Sequence, residues 1–228
     1  MAKLLVIDTS SRVCAVGLLI EGKWQQIETE TPRQAAQEVL GLISALLEER
    51  CLALSQLDAI AITSGPGSFT GLRIGIGIVQ GLAESTKLPV IAISNLALFA
   101  YTHLKDMRFD NALVCVKARD EESYWAHYQK CQQLGVKLLG AEKVLKDKDQ
   151  EQAFKNAAKS AHCLLVGDGW DAALLGEMSG ELRPDSTSIQ VTLSDVAEMA
   201  ERYLVAKVLL KPEQLTPNYV KEELDYLS

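Results

Sequence analysis

The residues of this chain whose types and spacing suit chemistry lie in two turns. Asp8-Thr9-Ser10-Ser11 sets one carboxylate beside three hydroxyls. An acid and hydroxyls at a turn can approach a magnesium ion and its phosphates, and glycine there lets the backbone close on the anion. This turn has no glycine, and Asp, Ser and Thr also populate turns for local hydrogen bonding, which is the simpler account. The second turn, Ser64–Gly71, reads SGPGSFTG. Free N–H groups at the helix start that follows it attract phosphate. It lacks a Walker lysine, however, and its G-x-G-x-x-x-G spacing is not the dinucleotide fingerprint. Asp8, Thr9, Ser10, Gly65 and Gly67 are therefore candidates for a nucleotide contact, with the glycine turn chiefly structural. Ser68 lies outside G-x-S-x-G and has no histidine near it in sequence, so it reads as a capping hydroxyl rather than a nucleophile. The three histidines, His103, His127 and His162, form neither HxxxH nor HExxH, so no metal site is expected. Gly167-Asp168-Gly169 is either a second phosphate turn or a plain strand end. Arg119-Asp120-Glu121-Glu122 reads as a solvated turn.

Composition bounds the function classes. With 228 residues, 48% of them hydrophobic, the chain can bury one large core or two modest ones. No apolar run approaches the roughly 20 residues of a membrane span. The opening MAKLLVIDTS turns polar at Asp8, too soon for a secretory signal, so a cytoplasmic protein is expected. The five cysteines, Cys14, Cys51, Cys115, Cys131 and Cys163, are odd in number and include no CxxC; small buried thiols are the natural reading. A net charge of −7 argues against an isolated nucleic-acid-binding domain, which needs a basic face.

The elements that must position these turns follow from apolar period. Lys3–Ile7, Val13–Ile20 and Lys23–Glu30 read as a β-meander, and Arg33–Cys51 as a helix whose apolar residues cover more than the stripe needed to rest on one sheet. Ala59–Thr63 is a buried strand. A helix begins near Thr70, capped by Ser68 or Thr70, and carries Gly71, Gly75, Gly77 and Gly81. Each interior glycine costs about 1 kcal/mol relative to alanine, so another backbone should approach closely. Pro89–Ile93 is a strand and Asn95–His103 a short helix. Beyond the polar segment Lys105–Asn111 the layout recurs, with strands Ala112–Ala118, Ser123–Lys130 and Val136–Val144, helix Asp149–Ala158 and strand Cys163–Val166. Trp170–Ile189 reads as irregular. Thr192 and Asp195 form a capping box for helix Ser194–Leu210, followed by an extended tail. A meander-then-helix layout used twice is what the α/β actin-like ATPase fold predicts: two lobes, each a mixed sheet with flanking helices. The expected divisions are 1–104, 105–191 and 192–228, the last helix packing back on the first lobe.

GPGSFTGLRIGIGIVQGLA, together with LLVIDTSS at Leu4–Ser11, resembles the bacterial TsaB (YeaZ) family, a subunit of the machinery that places threonylcarbamoyl on adenosine 37 of tRNA. The match is long, gapless and glycine-rich, and Pro217–Tyr219 resembles the family's C-terminal motif. The resemblance implies a non-catalytic scaffold that docks on its catalytic paralogue, TsaD, with the small ATPase TsaE joining them. It also implies self-pairing when alone, tRNA contacted only through the complex, and no cofactor of its own beyond an ATP or ADP contact within the complex. TsaD holds a metal with a histidine pair that this chain lacks. Two departures from the family pattern, Lys117 in a usual Asp-Ala-Arg and Ala35 near a usual histidine, weaken a catalytic reading further. The expected docking surface is the apolar helical face of Ala36, Val39, Leu40, Ile43, Leu46, Leu47, Leu72, Gly75, Ile76, Val79 and Leu82. The alternative is that the second lobe or the last helix covers this face. The competing functional class is an active ATPase or kinase of the same fold, or a peptidase.

Overall fold

The computed structural model describes residues 2–29, 35–105, 109–119, 121–146, 149–158, 163–170 and 191–220. The chain gathers into two compact units, one made of residues up to Asn95 with Thr192–Asn218, the other beginning at Leu96. Most of the expected irregular stretch Trp170–Ile189, and the expected helix start at Arg33–Gln34, lie outside the described residues.

In the first unit, β1 (Lys3–Asp8), β2 (Cys14–Ile20) and β3 (Lys23–Thr29) form an antiparallel meander. β4 (Ala59–Gly65) then joins β1 in parallel, and β5 (Val90–Ser94) joins β4. The sheet order is β3-β2-β1-β4-β5. Two helices connect the strands, α1 (Ala35–Glu49) before β4 and α2 (Phe69–Thr86) after it. Leu5, Ile7, Val16, Leu18, Ile60 and Ile62 meet Val39, Ile43, Leu46, Ile76 and Val79 of these helices in one buried cluster. Leu4, Val6, Ala59 and Ala61 alternate with those strand residues and are equally buried. Period-two alternation puts them on the other face of the sheet, and the last helix, α5 (Leu193–Val205), packs against β1, β2, β4 and β5. A sheet covered on both faces is why β1 and β4 read as continuous apolar runs.

The second unit contains α3 (Asn95–Leu104) from its second residue on, then β6 (Asn111–Lys117), β7 (Glu122–Cys131), β8 (Gly135–Leu138), β9 (Lys143–Lys146), α4 (Gln150–Ala158) and β10 (Cys163–Val166). Its sheet runs β10-β6-β7-β8, with β10 parallel to β6. Reversed, this is the β3-β2-β1-β4 pattern again. The α/β fold with two mixed sheets and flanking helices is therefore present, and the repeat inferred from layout is visible in strand pairing. Trp125 and Trp170 meet edge to face, centroids 5.3 Å apart, in a core with Leu113, Cys115, Cys163 and Leu165.

Two element readings are corrected. Val136–Val144 is not one strand: Gly140 has φ +89°, and the chain leaves one end of β7 as β8 and returns to its other end as β9. The last helix stops at Val205, five residues before Leu210. The N–H of Lys207 bonds Leu204 O at 3.1 Å and that of Val208 bonds Tyr203 O at 2.9 Å, the Schellman pairing, with Lys207 left-handed at φ +57° where glycine is usual. Periodicity cannot see a stop signalled by lysine.

Gly167 (φ +110°) faces a backbone, since a Cβ there would lie 2.0 Å from Cys115 O, whereas one at Gly140 meets nothing within 4 Å. Urea denaturation should therefore show Gly140→Ala losing about 1–2 kcal/mol from backbone strain alone and Gly167→Ala losing distinctly more, about 3 kcal/mol or above.

Candidate functional site

The carboxyl ends of the parallel strands β1, β4 and β5 bring the two sequence-predicted turns together, at the edge where open α/β sheets bind ligands. Asp8 closes β1, Gly65 closes β4, and Asn95 follows β5. Asp8 Oδ1 accepts from Ser10 N, Ser10 Oγ and Thr63 Oγ1, each at 2.7 Å. Ser10 Oγ in turn accepts from Asn95 Nδ2 at 2.7 Å, and Asn95 Oδ1 accepts from Gly65 N at 3.1 Å. Ser68 N donates to Ser10 O at 2.7 Å. Ser68 Oγ accepts from Gly71 N at 3.2 Å and caps α2. Thr9 Oγ1 donates to Gly71 O at 2.8 Å. Asp8, Thr9, Ser10, Gly65 and Gly67 are thus assembled, and the hydroxyls and amides named here are bonded to one another. Within the turn, Ser10 N and Oγ bond Asp8 Oδ1 locally, and Thr63 of β4 and Asn95 after β5 bond the turn from other parts of the chain.

The glycines of the second turn have a steric cause. A Cβ on Gly67 would lie 2.6 Å from Ser10 O, one on Gly71 2.0 Å from Thr9 O, and one on Gly75 2.2 Å from Thr9 Oγ1. The close backbone expected along α2 is the chain's own first turn. Gly77 and Gly81 differ, because a Cβ at either meets nothing within 4 Å.

This corrects most of the expected docking set. Val39, Ile43, Leu46, Leu47, Leu72, Ile76 and Val79 are buried in the core of the first unit, and Gly75 is buried against Thr9. Leu82 is half-buried, and the side chain of Ala36 lies outside the described residues. Of the set, Leu40 is exposed, at 46%. The apolar stripes are wide because each helix packs on the sheet and also on the other helix, which widens the buried arc beyond one face. Val39, Ile43, Leu46, Leu47, Ile76 and Val79 share one buried cluster with residues of β1, β2 and β4. Exposed beside Leu40 on α1 are Gly41, Ser44, Ala45 and the acidic end, Glu48 and Glu49, and on α2 Gly77 and Gly81 are exposed with Arg73, Glu84 and Ser85, while Ile74 and Ile78 are half-buried. Phe69, 51% exposed, carries the Arg73 guanidinium 3.7 Å above its ring. Sequence reasoning missed Phe69. Its place at the first helical residue, one turn before the sheet-facing positions, was the available signal.

The second unit's turn is likewise closed. Gly169 N donates to Cys115 O at 2.9 Å, Lys117 N donates to Asp168 Oδ1 at 3.0 Å, and Gly169 O accepts from Gln150 Nε2 at 2.9 Å. The strand-end reading of Gly167–Gly169 therefore has a full account. Among the described residues no group of three or more His, Cys, Asp or Glu is placed to hold a metal ion, and no helix is long and apolar enough to cross a membrane.

A family model described as TsaD, tRNA N6-adenosine threonylcarbamoyltransferase, matches residues 28–214. The tRNA threonylcarbamoyladenosine biosynthesis protein TsaB of Escherichia coli K12 is 30% identical, covering 97% of this chain and 96% of its own. The chain belongs to the TsaB family. The Haemophilus influenzae TsaB is also 30% identical, over 98% of this chain and 95% of its own length. A solved structure of YeaZ from Pseudomonas aeruginosa superposes with a TM-score of 0.76 at 33% identity, covering 96% of this chain and 100% of that one. A second Pseudomonas aeruginosa structure, described as similar to peptidase YeaZ, reaches 0.79 at 35% identity, covering 97% and 100%. The TsaB-family match extends across both turns, and in this member they form the closed hydrogen-bonded junction described above.

Two measurements check the junction. Thr9→Ala should partly rescue Gly75→Ala, whose clash is with the Thr9 hydroxyl, and should not rescue Gly71→Ala, whose clash is with the Thr9 carbonyl; each glycine variant alone should lose about 1–3 kcal/mol. Burial, with smaller contributions from the Asp8 and Glu38 carboxylates, pushes the nearby Cys14 thiol up from 9.0 to about 11. The folded state thus favours the protonated thiol, and the stability this gives is complete below about pH 9 and is lost as pH rises through about 11. Urea titrations at pH 8 and pH 10.5 should show a smaller alkaline loss in Cys14→Ala than in the native protein.

Proposed function

We propose that this chain serves tRNA threonylcarbamoyladenosine synthesis as a non-catalytic docking subunit, pairing the outer face of α1 and α2 with a TsaD-type catalytic paralogue. The observation that carries the reading is the division of the α2 glycines. Gly71 and Gly75 are used up inside the protomer, while Gly77 and Gly81 lie bare and exposed on α2, and Leu40, Gly41 and Ala45 are exposed on α1, the helix it packs against. Side chains as small as these admit a second helix at close range, and exposed Phe69 and the Arg73 above its ring are residue types enriched at interfaces. A partner from the same family has helices of the same kind, so like faces like, as in two-fold assemblies. Self-pairing through this face when the partner is absent follows from the same geometry.

The reaction chemistry belongs to the partner in this reading. Ser68 Oγ is engaged as a helix cap, and the Asp8 turn is bonded to its neighbours. A nucleotide contact at this turn would be completed within the complex, where a TsaE-type ATPase joins. With a net charge of −7, tRNA phosphates are left to the other subunits.

Charged substitutions at Val39, Ile43 or Val79 would unfold the first unit and report nothing about docking. Gly77→Ala and Gly81→Ala are the informative variants. Each removes a glycine from an exposed helix interior and should stabilise the free chain by about 0.5–1 kcal/mol, while Gly77→Leu, Leu40→Glu and Phe69→Ala should each cut capture of the TsaD paralogue and tRNA modification at least tenfold, an effect of about 1.4 kcal/mol. Undiminished capture by all three would overturn the docking face. Robust ATP hydrolysis or peptide cleavage by the chain alone would overturn the non-catalytic role.

A further inference from the structure

The tail after α5 makes three separate attachments to the first unit. The Schellman turn at Lys207 sends the chain to the free edge of β5, where Val90 and Leu210 exchange both backbone hydrogen bonds, at 2.9 and 2.8 Å. A single turn, Pro212–Gln214, then drops Leu215 into the core cluster shared with Ile76, Val79, Ala83 and Leu88, where it is 1% exposed. Gln80 Nε2 of α2 donates to Leu215 O at 2.9 Å. Three residues further on, Asn218 N donates to Ser64 O at 2.8 Å, and a Cβ on Gly65 would come within 3.4 Å of Asn218 O. Ser64 and Gly65 open the turn that carries Phe69.

Of the residues 211–218, Leu215 is the buried one; Lys211, Glu213, Gln214 and Thr216 are exposed and Pro212, Pro217 and Asn218 half-buried. Leu215, buried, and Leu210, half-buried against the same cluster, are the segment's apolar anchors, and the hydrogen bonds at Leu210, Leu215 and Asn218 each contribute about 0.5–1.5 kcal/mol. A segment of this kind opens locally without global unfolding.

We propose that residues 210–218 are a latch on the docking helix: seated through Leu215, they hold the Ser64–Phe69 turn and the start of α2 in place, and unseating them frees that turn. The part of this that concerns partner binding rests on the docking role proposed above; the latch itself does not. Linkage makes the coupling reciprocal. A partner that needs Phe69 and the start of α2 in place also stabilises the seated latch, without touching it.

Hydrogen exchange on the intact chain tests the latch without any partner. In Leu215→Ala, the amides of Gly65, Ser68 and Leu72 should exchange at least about tenfold faster, together with those of Leu210 and Asn218, while amides of β1 and β7 keep their native rates. Asn218→Pro, which deletes the N–H bonded to Ser64, should accelerate the same turn amides more than Asn218→Ala, which keeps it. If Leu215→Ala does not fold, the native chain decides: the turn amides and residues 210–218 should open as one unit with a common denaturant dependence. Unchanged turn exchange in both variants, or separate opening in the native chain, overturns the latch. Purified TsaD paralogue should then slow exchange of residues 210–218 in the native chain. Binding without that slowing overturns the coupling, whereas failure of the native chain to bind at all overturns the docking role and leaves the latch standing.

Discussion

The turn after β1 lies against the backbone of α2 more closely than any side chain on that helix would permit, and much of the first unit follows from this contact. Thr9 bonds to Gly71 O at 2.8 Å and fills the space that side chains on Gly71 and Gly75 would need. With α2 held there, Ser68 is positioned to cap it and to reach Ser10 O. Asp8 and Asn95 bond Ser10, and Thr63 bonds Asp8. Buried hydroxyls and amides need partners, and here two turns far apart in sequence supply them to each other. At this sheet edge the two turns are hydrogen-bonded to each other.

The same contact orients the outside of α2. Residues of a helix advance by about 100° each, so Gly77 lies roughly 200° around from Gly75. Once Gly75 is turned inward against Thr9, Gly77 points away from the protomer. The two glycine pairs of this helix therefore serve different purposes, one internal packing and the other an open surface. α1 is arranged alongside: Val39, Ile43 and Leu46 go to the core, and Gly41, Ser44 and Ala45 are left outside. The resulting outer face is poor in bulk rather than rich in apolar area.

Much of the architecture was legible in the residues. The meander-then-helix layout, repeated after Lys105, has its counterpart in two sheets of matching strand order, because short buried strands and amphipathic helices impose periods of two and 3.6 that survive any tertiary setting. The Thr192–Asp195 capping box was legible for the same reason: a cap is a local interaction, read within four residues. The Lys207 stop and the break at Gly140 were not. The first depends on a left-handed lysine tolerated because the chain beyond it pairs with β5, and the second on which end of β7 the returning strand finds.

Among the functional residues, the amino-acid order alone determined that Asp8, Ser10, Ser68 and the glycines were exceptional, since costly glycines in a helix and hydroxyls in tight turns must answer to something. It also determined the family, through a long glycine-rich match. Tertiary structure decided what those residues answer to. Whether an apolar helix residue meets its own sheet, the neighbouring helix or solvent depends on the angle at which the helix is pinned, and here that angle is set by a contact between Thr9 and Gly75, 66 positions apart in the chain, which no local period encodes.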